Sequence, residues 1–289
     1  MKRSILVLLA VILFAAAATG CSLTRTQAAP LPAGPQPAGP TAAPADLTPA
    51  PAPATVAVAD PTQAPAQSAA DPISFNGITF TYSRALAQSV EPAAQPAADG
   101  GTEGPYWASA PGFVRFKFSG YVLPKTFHEP RIEVYPAADY GKVNPAAGKT
   151  IEALQNYLKT KKQGEQGMPF LPLFNAAQVT AAQVTDLNFK NGSGVRYITQ
   201  FDQYPAPLNN FELFYTYQGI TGDGKYYVAA ILPVSNSLLP ADDKTRPEGD
   251  YKEYLATATG KLDAASPSSY SPDLKALDAL IESLSITSN

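Results

Sequence analysis

The stretch that decides the fold is Val184–Pro233, which reads VTDLNFKNGSGVRYITQFDQYPAPLNNFELFYTYQGITGDGKYYVAAILP. Three turn segments divide this stretch, namely Asn191-Gly192, Pro205–Asn210 and Thr221–Gly224. The runs between them are rich in aromatic and β-branched residues, and they are Val184–Lys190, Val195–Asp202, Phe211–Gln218 and Tyr226–Leu232. Runs of this length joined by short turns predict a four-stranded antiparallel meander over 184–233.

Asn-Gly is the strongest short-range signal of a β-hairpin, because both residues tolerate a positive φ. It occurs between apolar residues at Asn76-Gly77 and again at Asn191-Gly192. We therefore predict a short hairpin over Ile73–Tyr82, and a tight turn in which Gly192 needs a positive φ. On that basis Gly192→Val should cost about 1–2 kcal/mol of stability, and Gly222→Val, in a longer turn, should cost less.

The remaining segments complete an α+β pattern. Phe113–Tyr121 and Pro130–Tyr135 have strand composition, whereas Ala85–Gly112 is predicted to be a surface loop because it contains four prolines and four glycines. Gly167–Gln183 is apolar but broken by prolines, so we expect a buried connector that leads into the meander.

Three helices are expected from capping residues and apolar spacing. The first begins after Asn144 with Pro145 and ends by Gly164, the second covers Tyr251–Leu262, and the last is capped by Ser271 with Pro272 in its first position. The sequence therefore predicts a single α+β domain over 73–289, in which two or three helices pack on an antiparallel sheet made of the meander and the N-terminal strands.

The N-terminus predicts export. Lys2-Arg3 precedes an apolar run from Ile5 to Ala18, which is too short for a membrane span and typical of a signal peptide over 1–20. Twelve of the 29 prolines and no aromatic residue lie in Ser22–Pro72. Such a segment buries too little apolar surface to offset its ordering entropy, so 21–72 is predicted to be a disordered tether.

Cys21 is the only cysteine of the chain, and it follows Ala18-Thr19-Gly20. The tetrapeptide Ala18-Thr19-Gly20-Cys21 resembles the bacterial lipoprotein signal, although the family prefers leucine at the position of Ala18. The resemblance implies that Cys21 carries acyl chains such as palmitate as the first residue of the mature protein, and that the domain lies on the extracytoplasmic side of the membrane. The alternative is a cysteine that lies by chance near an ordinary cleavage site.

A second resemblance covers Leu171–Pro233, with the segments LPLFNAAQV, NGSGVRYITQ and ELFYTYQGITGDGKYYVAAILPV. This region resembles uncharacterised bacterial surface lipoproteins. The order of elements, with a final amphipathic helix that ends at Ser283-Leu284, is loosely similar to the Mog1/PsbP-like α/β/α sandwich. That similarity implies a non-enzymatic partner of a larger assembly.

The search for catalytic motifs is mostly negative. His128 is followed by Pro130, which would break a zinc-protease helix, and the sequence has neither a nucleophile elbow nor a phosphate-binding loop.

Without Lys2 and Arg3 the chain has 19 basic and 24 acidic residues, a balance that argues against nucleic-acid binding. No cofactor or metal is predicted. The acidic loop Asp242, Asp243, Glu248 and Asp250 is read as solvated, with a calcium site as the alternative.

Two hypotheses for function remain open. The favoured one is a non-enzymatic, membrane-anchored lipoprotein whose domain binds or supports an envelope protein or a glycan. Its candidate binding surface is an aromatic patch made of Tyr204, Phe214, Tyr215, Tyr217, Tyr226 and Tyr227. Such a patch could bind a partner only if it is exposed, and the alternative is that loops and helices cover these rings. The alternative is a hydrolase-like envelope enzyme whose site assembles only in three dimensions from His128, Arg196, Asp202 and Glu212.

Overall fold

The computed structural model describes residues 70–101, 104–164, 167–244 and 247–287. The predicted signal peptide, Cys21 and the tether up to residue 69 lie outside these residues. Within them the chain is α+β, with antiparallel sheets and helices, as the sequence predicts.

Twelve strands form the sheets of the described region, and they are β1 (Ala70–Phe75), β2 (Ile78–Ser83), β3 (Ser89–Gln95), β4 (Phe113–Ser119), β5 (Arg131–Pro136), β6 (Ala177–Phe189), β7 (Gly192–Asp202), β8 (Phe214–Thr221), β9 (Tyr226–Pro233), β10 (Ser235–Asn236), β11 (Tyr270–Ser271) and β12 (Ser285–Ile286). The α-helices there are α1 (Ala137–Val143), α2 (Pro145–Thr160), α3 (Tyr251–Ala264) and α4 (Leu274–Glu282). Four helices are thus present where two or three were predicted, and α1 is the one that the sequence analysis missed.

The main sheet has seven strands in the order β3-β4-β5-β9-β8-β7-β6. The predicted meander is its β6–β9 half, and every neighbouring pair is antiparallel. The N-terminal hairpin β1–β2 was expected in this sheet, but it forms a separate three-stranded sheet with β12. Residues 70–72 belong to that hairpin and not to the tether, because they pair with 81–83.

Two boundaries of the meander differ from the prediction. β6 begins at Ala177 and crosses two register shifts, so the connector predicted over Gly167–Gln183 is shorter. β8 begins at Phe214 because the preceding residues form a turn on Asn209, whose Oδ1 accepts from the backbone N–H of Phe211 at 3.0 Å and of Glu212 at 3.1 Å.

The predicted loop over Ala85–Gly112 contains an edge strand, β3, which pairs along its whole length with β4. Pro92 lies within this strand and favoured the loop prediction. A proline is tolerated at this position because an edge strand has one side without ladder hydrogen bonds.

The predicted cap is confirmed for α2 and displaced for α4, and α3, for which no cap was predicted, is capped by an aspartate. The Asn144 side chain accepts from the N–H groups of Ala146 and Ala147, and Asp250 caps α3. The last helix is capped by Asp273 and not by Ser271, because Ser271 pairs with Ser235 in the short β10–β11 ladder.

The two Asn-Gly turns have different backbones. Asn76 and Gly77 have φ of 48° and 75°, which confirms the predicted turn between β1 and β2. At the other position Lys190 and Asn191 form the turn, Gly192 is the first residue of β7, and its φ is not positive. The prediction of a positive φ at Gly192 is therefore wrong.

Gly192 is nevertheless required, for steric reasons. A Cβ there would lie 2.0 Å from Cζ of Phe189 and 2.5 Å from the backbone oxygen of Ile220, whereas a Cβ at Gly222 would meet nothing closer than 3.6 Å. We expect Gly192→Ala to cost about 1–3 kcal/mol through overpacking, and Gly222→Ala to stay within about 0.5 kcal/mol of the wild type. Urea denaturation of the two variants checks this, and equal stabilities would contradict it.

Both faces of the main sheet are covered. One face carries α1 and α2, whose buried side chains, such as Tyr140 and Leu154, pack on Tyr197 and Tyr227. The opposite face carries α3, α4 and the N-terminal hairpin, which pack on residues such as Tyr217. Side chains that alternate along the meander strands are therefore buried in both directions.

Candidate functional site

A cavity of about 450 Å³ lies where β7 ends and the turn before β8 begins. We call it the aromatic cavity, and its lining residues are Trp107, Phe127, His128, Arg131, Leu173, Phe174, Asn175, Ala176, Phe201, Asp202, Gln203, Tyr204 and Glu212. Residues far apart in the sequence meet here because antiparallel strands alternate in direction. As a result β5 begins at the sheet end where β7 finishes.

Phe174 and Phe201 line one wall of the cavity, and a buried cluster lies behind them. Phe170, Phe214 and Ile231 are buried together, and Phe174 and Phe201 pack against them. The ring centroids of Phe170 and Phe201 are 4.5 Å apart, and those of Phe174 and Phe201 are 5.2 Å apart. Close-packed rings of this kind give the cavity a rigid apolar side.

The connector that supplies Phe170 and Phe174 is fixed to the sheet by Gln218 of β8. The side-chain Oε1 of Gln218 accepts from the backbone N–H of Leu171 at 2.9 Å, and its Nε2 donates to the Leu171 oxygen at 3.1 Å. The same Oε1 accepts from the Tyr227 hydroxyl at 2.7 Å. A proline-broken segment with little regular structure therefore has a defined position over the sheet.

The rim of the cavity is aromatic and exposed. Trp107 is 37% exposed, Phe127 60% and Tyr204 55%. Tyr106 and Phe211, also exposed, touch this rim, since their rings lie 5.0 Å from Trp107 and 5.9 Å from Phe127. Exposed rings gathered around one opening are typical of a binding site, whereas isolated surface aromatics need no explanation.

Two carboxylates lie on the polar side of the cavity. The amide Nε2 of Gln200 is 3.0 Å from Oδ2 of Asp202 and 3.2 Å from Oε2 of Glu212. Asn209 adds a second amide, whose Nδ2 donates to the same Glu212 oxygen at 2.7 Å. Both acids are thus held in place by neutral donors.

Burial, and then the negative charge of Glu212, raise the pKa of Asp202 to about 6, while the hydrogen bond from Gln200 opposes the shift. The charged form of Asp202 is therefore destabilised in the folded state. At neutral pH the carboxyl group is still ionised, so the cavity contains two negative charges from Asp202 and Glu212.

His128 lies among aromatic rings, with its centroid 5.3 Å from Phe174 and 4.5 Å from Phe214. Its Nε2 is inaccessible to solvent and has no hydrogen-bond partner among the described residues. Burial, and then the positive charge of Arg131, lower the pKa of His128 to about 3. The imidazole is therefore neutral under ordinary conditions.

This environment predicts acid sensitivity. Below pH 6.5 the unfolded chain protonates His128 and the folded protein does not, so His128 lowers stability increasingly as pH falls toward 3. At pH 5 the loss relative to pH 7 should be about 2 kcal/mol. We expect the stability of His128→Phe relative to the wild type to rise by that amount between pH 7 and pH 5, as measured by chemical denaturation.

The comparison between the two proteins cancels the opposite contribution of Asp202, which binds a proton in the folded state near pH 6 and so gains stability on acidification. A stability difference that does not change with pH would show that His128 is accessible to protons in the folded state.

Arg131 is the one lysine or arginine of the lining, and it is already paired. Its Nε lies 3.0 Å from Oε1 of Glu133, which is 1% exposed and also accepts from Nε of Arg115 at 2.8 Å. The Tyr135 hydroxyl donates to the other Glu133 oxygen at 2.7 Å. Arg131 thus shares the one negative charge of Glu133 with Arg115, which compensates part of its positive charge.

The six residues of the predicted aromatic patch do not form one exposed surface. Phe214, Tyr215, Tyr217 and Tyr227 are fully buried, because helices and loops cover both faces of the sheet, so the prediction of an exposed patch is wrong for these four. Tyr226 is partly buried against the core. Tyr204 is exposed, and it lies at the rim of the aromatic cavity.

Three of the four residues considered for an enzyme, His128, Asp202 and Glu212, line the cavity. Arg196 does not, since its Nε lies 3.2 Å from Asp278 of α4 in a buried ion pair.

The sequence analysis missed Trp107 and Phe127 as lining residues. Each of them is an aromatic residue inside a polar, proline-containing loop. A ring in such a loop has no hydrophobic core to pack into, and this could have indicated a binding site.

The acidic loop directs its carboxylates to separate partners. Asp242 pairs with Lys244, Asp243 accepts from the Tyr204 hydroxyl at 2.9 Å, and Asp250 caps α3. Within the part of the chain that the structure describes, no three His, Cys, Asp or Glu side chains are grouped to hold a metal ion.

None of the described helices combines the length and apolar character needed to cross a membrane. Comparison with known proteins adds no relative, since no protein-family model and no curated protein matches this chain.

Proposed function

We propose that the protein is a membrane-anchored bacterial envelope lipoprotein whose extracytoplasmic domain binds a small ligand in the aromatic cavity and catalyses no reaction on it. The observation that carries the binding role is the cavity itself, with its packed aromatic wall, exposed aromatic rim and two fixed carboxylates. A volume of about 450 Å³ is within the range of small-molecule sites, which combine apolar walls with a few oriented polar groups.

The anchor is proposed from the sequence alone. Lys2-Arg3, the apolar run and Ala18-Thr19-Gly20-Cys21 resemble the parts of a lipoprotein signal, with Ala18 where the family prefers leucine. Cys21→Ser should release the protein from the membrane fraction without changing its thermal stability. Mass spectrometry of the mature wild-type protein should find Cys21 acylated, and an unmodified Cys21 or an intact Met1 would contradict the anchor.

A hydrolase is the second candidate, because Asp202 and Glu212 are neighbouring carboxyl groups and the pKa of Asp202 is raised to about 6. In enzymes that use one carboxylic acid and one carboxylate, the pKa of the acid is raised by its environment. Binding is favoured because both acids are held by amides, and His128 forms no side-chain hydrogen bond with either of them in the described part of the chain.

The proposed function is tested with the small-molecule fraction of the native envelope. Purified domain is dialysed against this fraction, and the retained compounds are identified by mass spectrometry. Ala176 lines the cavity, so Ala176→Phe should fill part of it and abolish retention while the protein keeps its circular dichroism spectrum. Equal retention by the wild type and Ala176→Phe would overturn the binding role of this cavity.

Variants of the two carboxylates separate the two candidates. If the protein is a hydrolase, the wild type should cleave chromogenic glycosides or esters, and both Asp202→Asn and Glu212→Gln should abolish the cleavage. Retention of an unaltered compound without such turnover supports binding.

A further inference from the structure

The charge balance of the aromatic cavity is negative. Asp202 and Glu212 line it, and neither forms an ion pair with a lysine or arginine anywhere in residues 70–101, 104–164, 167–244 and 247–287. The positive lining residue, Arg131, is bonded to the buried Glu133. A ligand that enters the cavity therefore meets two carboxylates whose charge the protein leaves uncompensated.

These carboxylates also have fewer hydrogen-bond donors than they can accept from. The Nε2 of Gln200 has two protons, but four acceptor atoms lie within 3.2 Å of it, namely both oxygens of Asp202, one of Glu212 and the backbone oxygen of Pro207. Carboxylates can each accept several hydrogen bonds. A ligand with positively charged donors would supply what the two amides cannot.

The remaining walls suit the same ligand. Faces of tryptophan, tyrosine and phenylalanine rings attract cations through their quadrupole, most strongly where water is excluded. Trp107, Phe127 and Tyr204 provide such rings at the rim, and Phe174 and Phe201 provide them deeper in the cavity. An apolar group of the ligand would also be favourably buried against them.

A bare metal ion fits this arrangement less well. Calcium requires six to eight oxygen ligands, whereas the carboxylates of the cavity come from two residues and most of its surface is aromatic or aliphatic. The volume of about 450 Å³ matches an organic molecule and far exceeds a single ion.

We propose that the ligand of the aromatic cavity is a small organic cation, in which an ammonium group is attached to an aromatic or aliphatic body. The ammonium group lies against Asp202 and Glu212, and the body packs among the rings. This inference rests on the proposed function, because it names the class of ligand for the same cavity.

The test uses three probes with the same ring and different charge, namely benzylammonium, benzyl alcohol and benzoate at neutral pH. Trp107 is the only tryptophan in the chain and lies in the cavity lining, so its fluorescence reports binding there. We expect benzylammonium to bind at least about tenfold more tightly than benzyl alcohol, and benzoate to bind more weakly still.

Variants that remove one charge test whether the preference for benzylammonium depends on Asp202 and Glu212. Asp202→Asn and Glu212→Gln should each reduce the ratio of benzylammonium to benzyl alcohol affinity by about threefold or more, and leave benzyl alcohol within about twofold. The matched control is Glu152→Gln on the exposed side of α2, which removes the same charge outside the cavity and should leave the ratio unchanged.

The outcomes separate this inference from the proposed function. Benzyl alcohol or benzoate binding as tightly as benzylammonium would overturn the organic cation and leave a ligand-binding cavity. A preference for benzylammonium that survives in both Asp202→Asn and Glu212→Gln would also overturn it. Failure of all three probes to alter Trp107 fluorescence, together with equal retention by the wild type and Ala176→Phe, would overturn both proposals.

Discussion

Replacing Gln218 with leucine is expected to lower the free energy of unfolding by about 3–5 kcal/mol, although the two side chains are similar in size. The variant leaves four buried groups without the amide partner, namely the N–H and oxygen of Leu171 and the hydroxyl oxygens of Tyr227 and Thr216. Each buried polar group that loses its partner costs about 1–3 kcal/mol. Urea denaturation at neutral pH measures the effect.

Tyr227→Phe is the matched control, because it removes one of these hydrogen bonds and leaves both bonds to Leu171. It should cost about 1 kcal/mol. Gln218→Leu should also weaken ligand binding in the aromatic cavity, since Leu171 lies between Phe170 and Phe174 in the connector. A Gln218→Leu variant within about 1 kcal/mol of the wild type would show that other contacts hold the connector.

The contrast between the two Asn-Gly sites shows how far local sequence determines structure. At Asn76-Gly77 the arms are short and pair directly across the turn, so turn propensity and strand register agree. At Asn191-Gly192 the register of β6 and β7 moves the turn one residue earlier, to Lys190 and Asn191. The side-chain amide of Asn191 instead donates to the backbone oxygen of Ile286, a tertiary contact that no local pattern encodes.

The four strands of the meander, the capped helix α2 and the α+β class could be predicted because each depends on local periodicity. The aromatic cavity could not, because it depends on which residues meet at the end of the sheet. His128, Asp202 and Glu212 were recognised as polar candidates, whereas their partners Gln200 and Asn209 carry no local signal. The rings of Tyr215 and Tyr217 were ambiguous for the same reason, since nothing in their strand shows that both faces are covered.

Glu133 provides the second large effect, because it is a buried charge between two guanidinium groups. Glu133→Gln keeps the shape of the side chain but removes the negative charge that Arg115 and Arg131 share. Loss of one partner from a fully buried ion pair costs about 3–5 kcal/mol, and partial exposure of Arg115 should reduce this to about 2–4 kcal/mol. Tyr135→Phe, which removes one hydrogen bond to the same carboxylate and no charge, should cost about 1.5–3 kcal/mol.

The consequence for binding follows from the position of Arg131 in the cavity lining. Once Glu133 is neutral, the positive charge of Arg131 is no longer compensated and opposes the charges of Asp202 and Glu212. Glu133→Gln should therefore lower the affinity for benzylammonium and raise that for benzoate, whereas Tyr135→Phe should change neither. A Glu133→Gln protein that is as stable as the wild type would contradict the energetic role of this ion pair. Unchanged affinities in a folded variant would show that Arg131 does not influence the charge of the cavity.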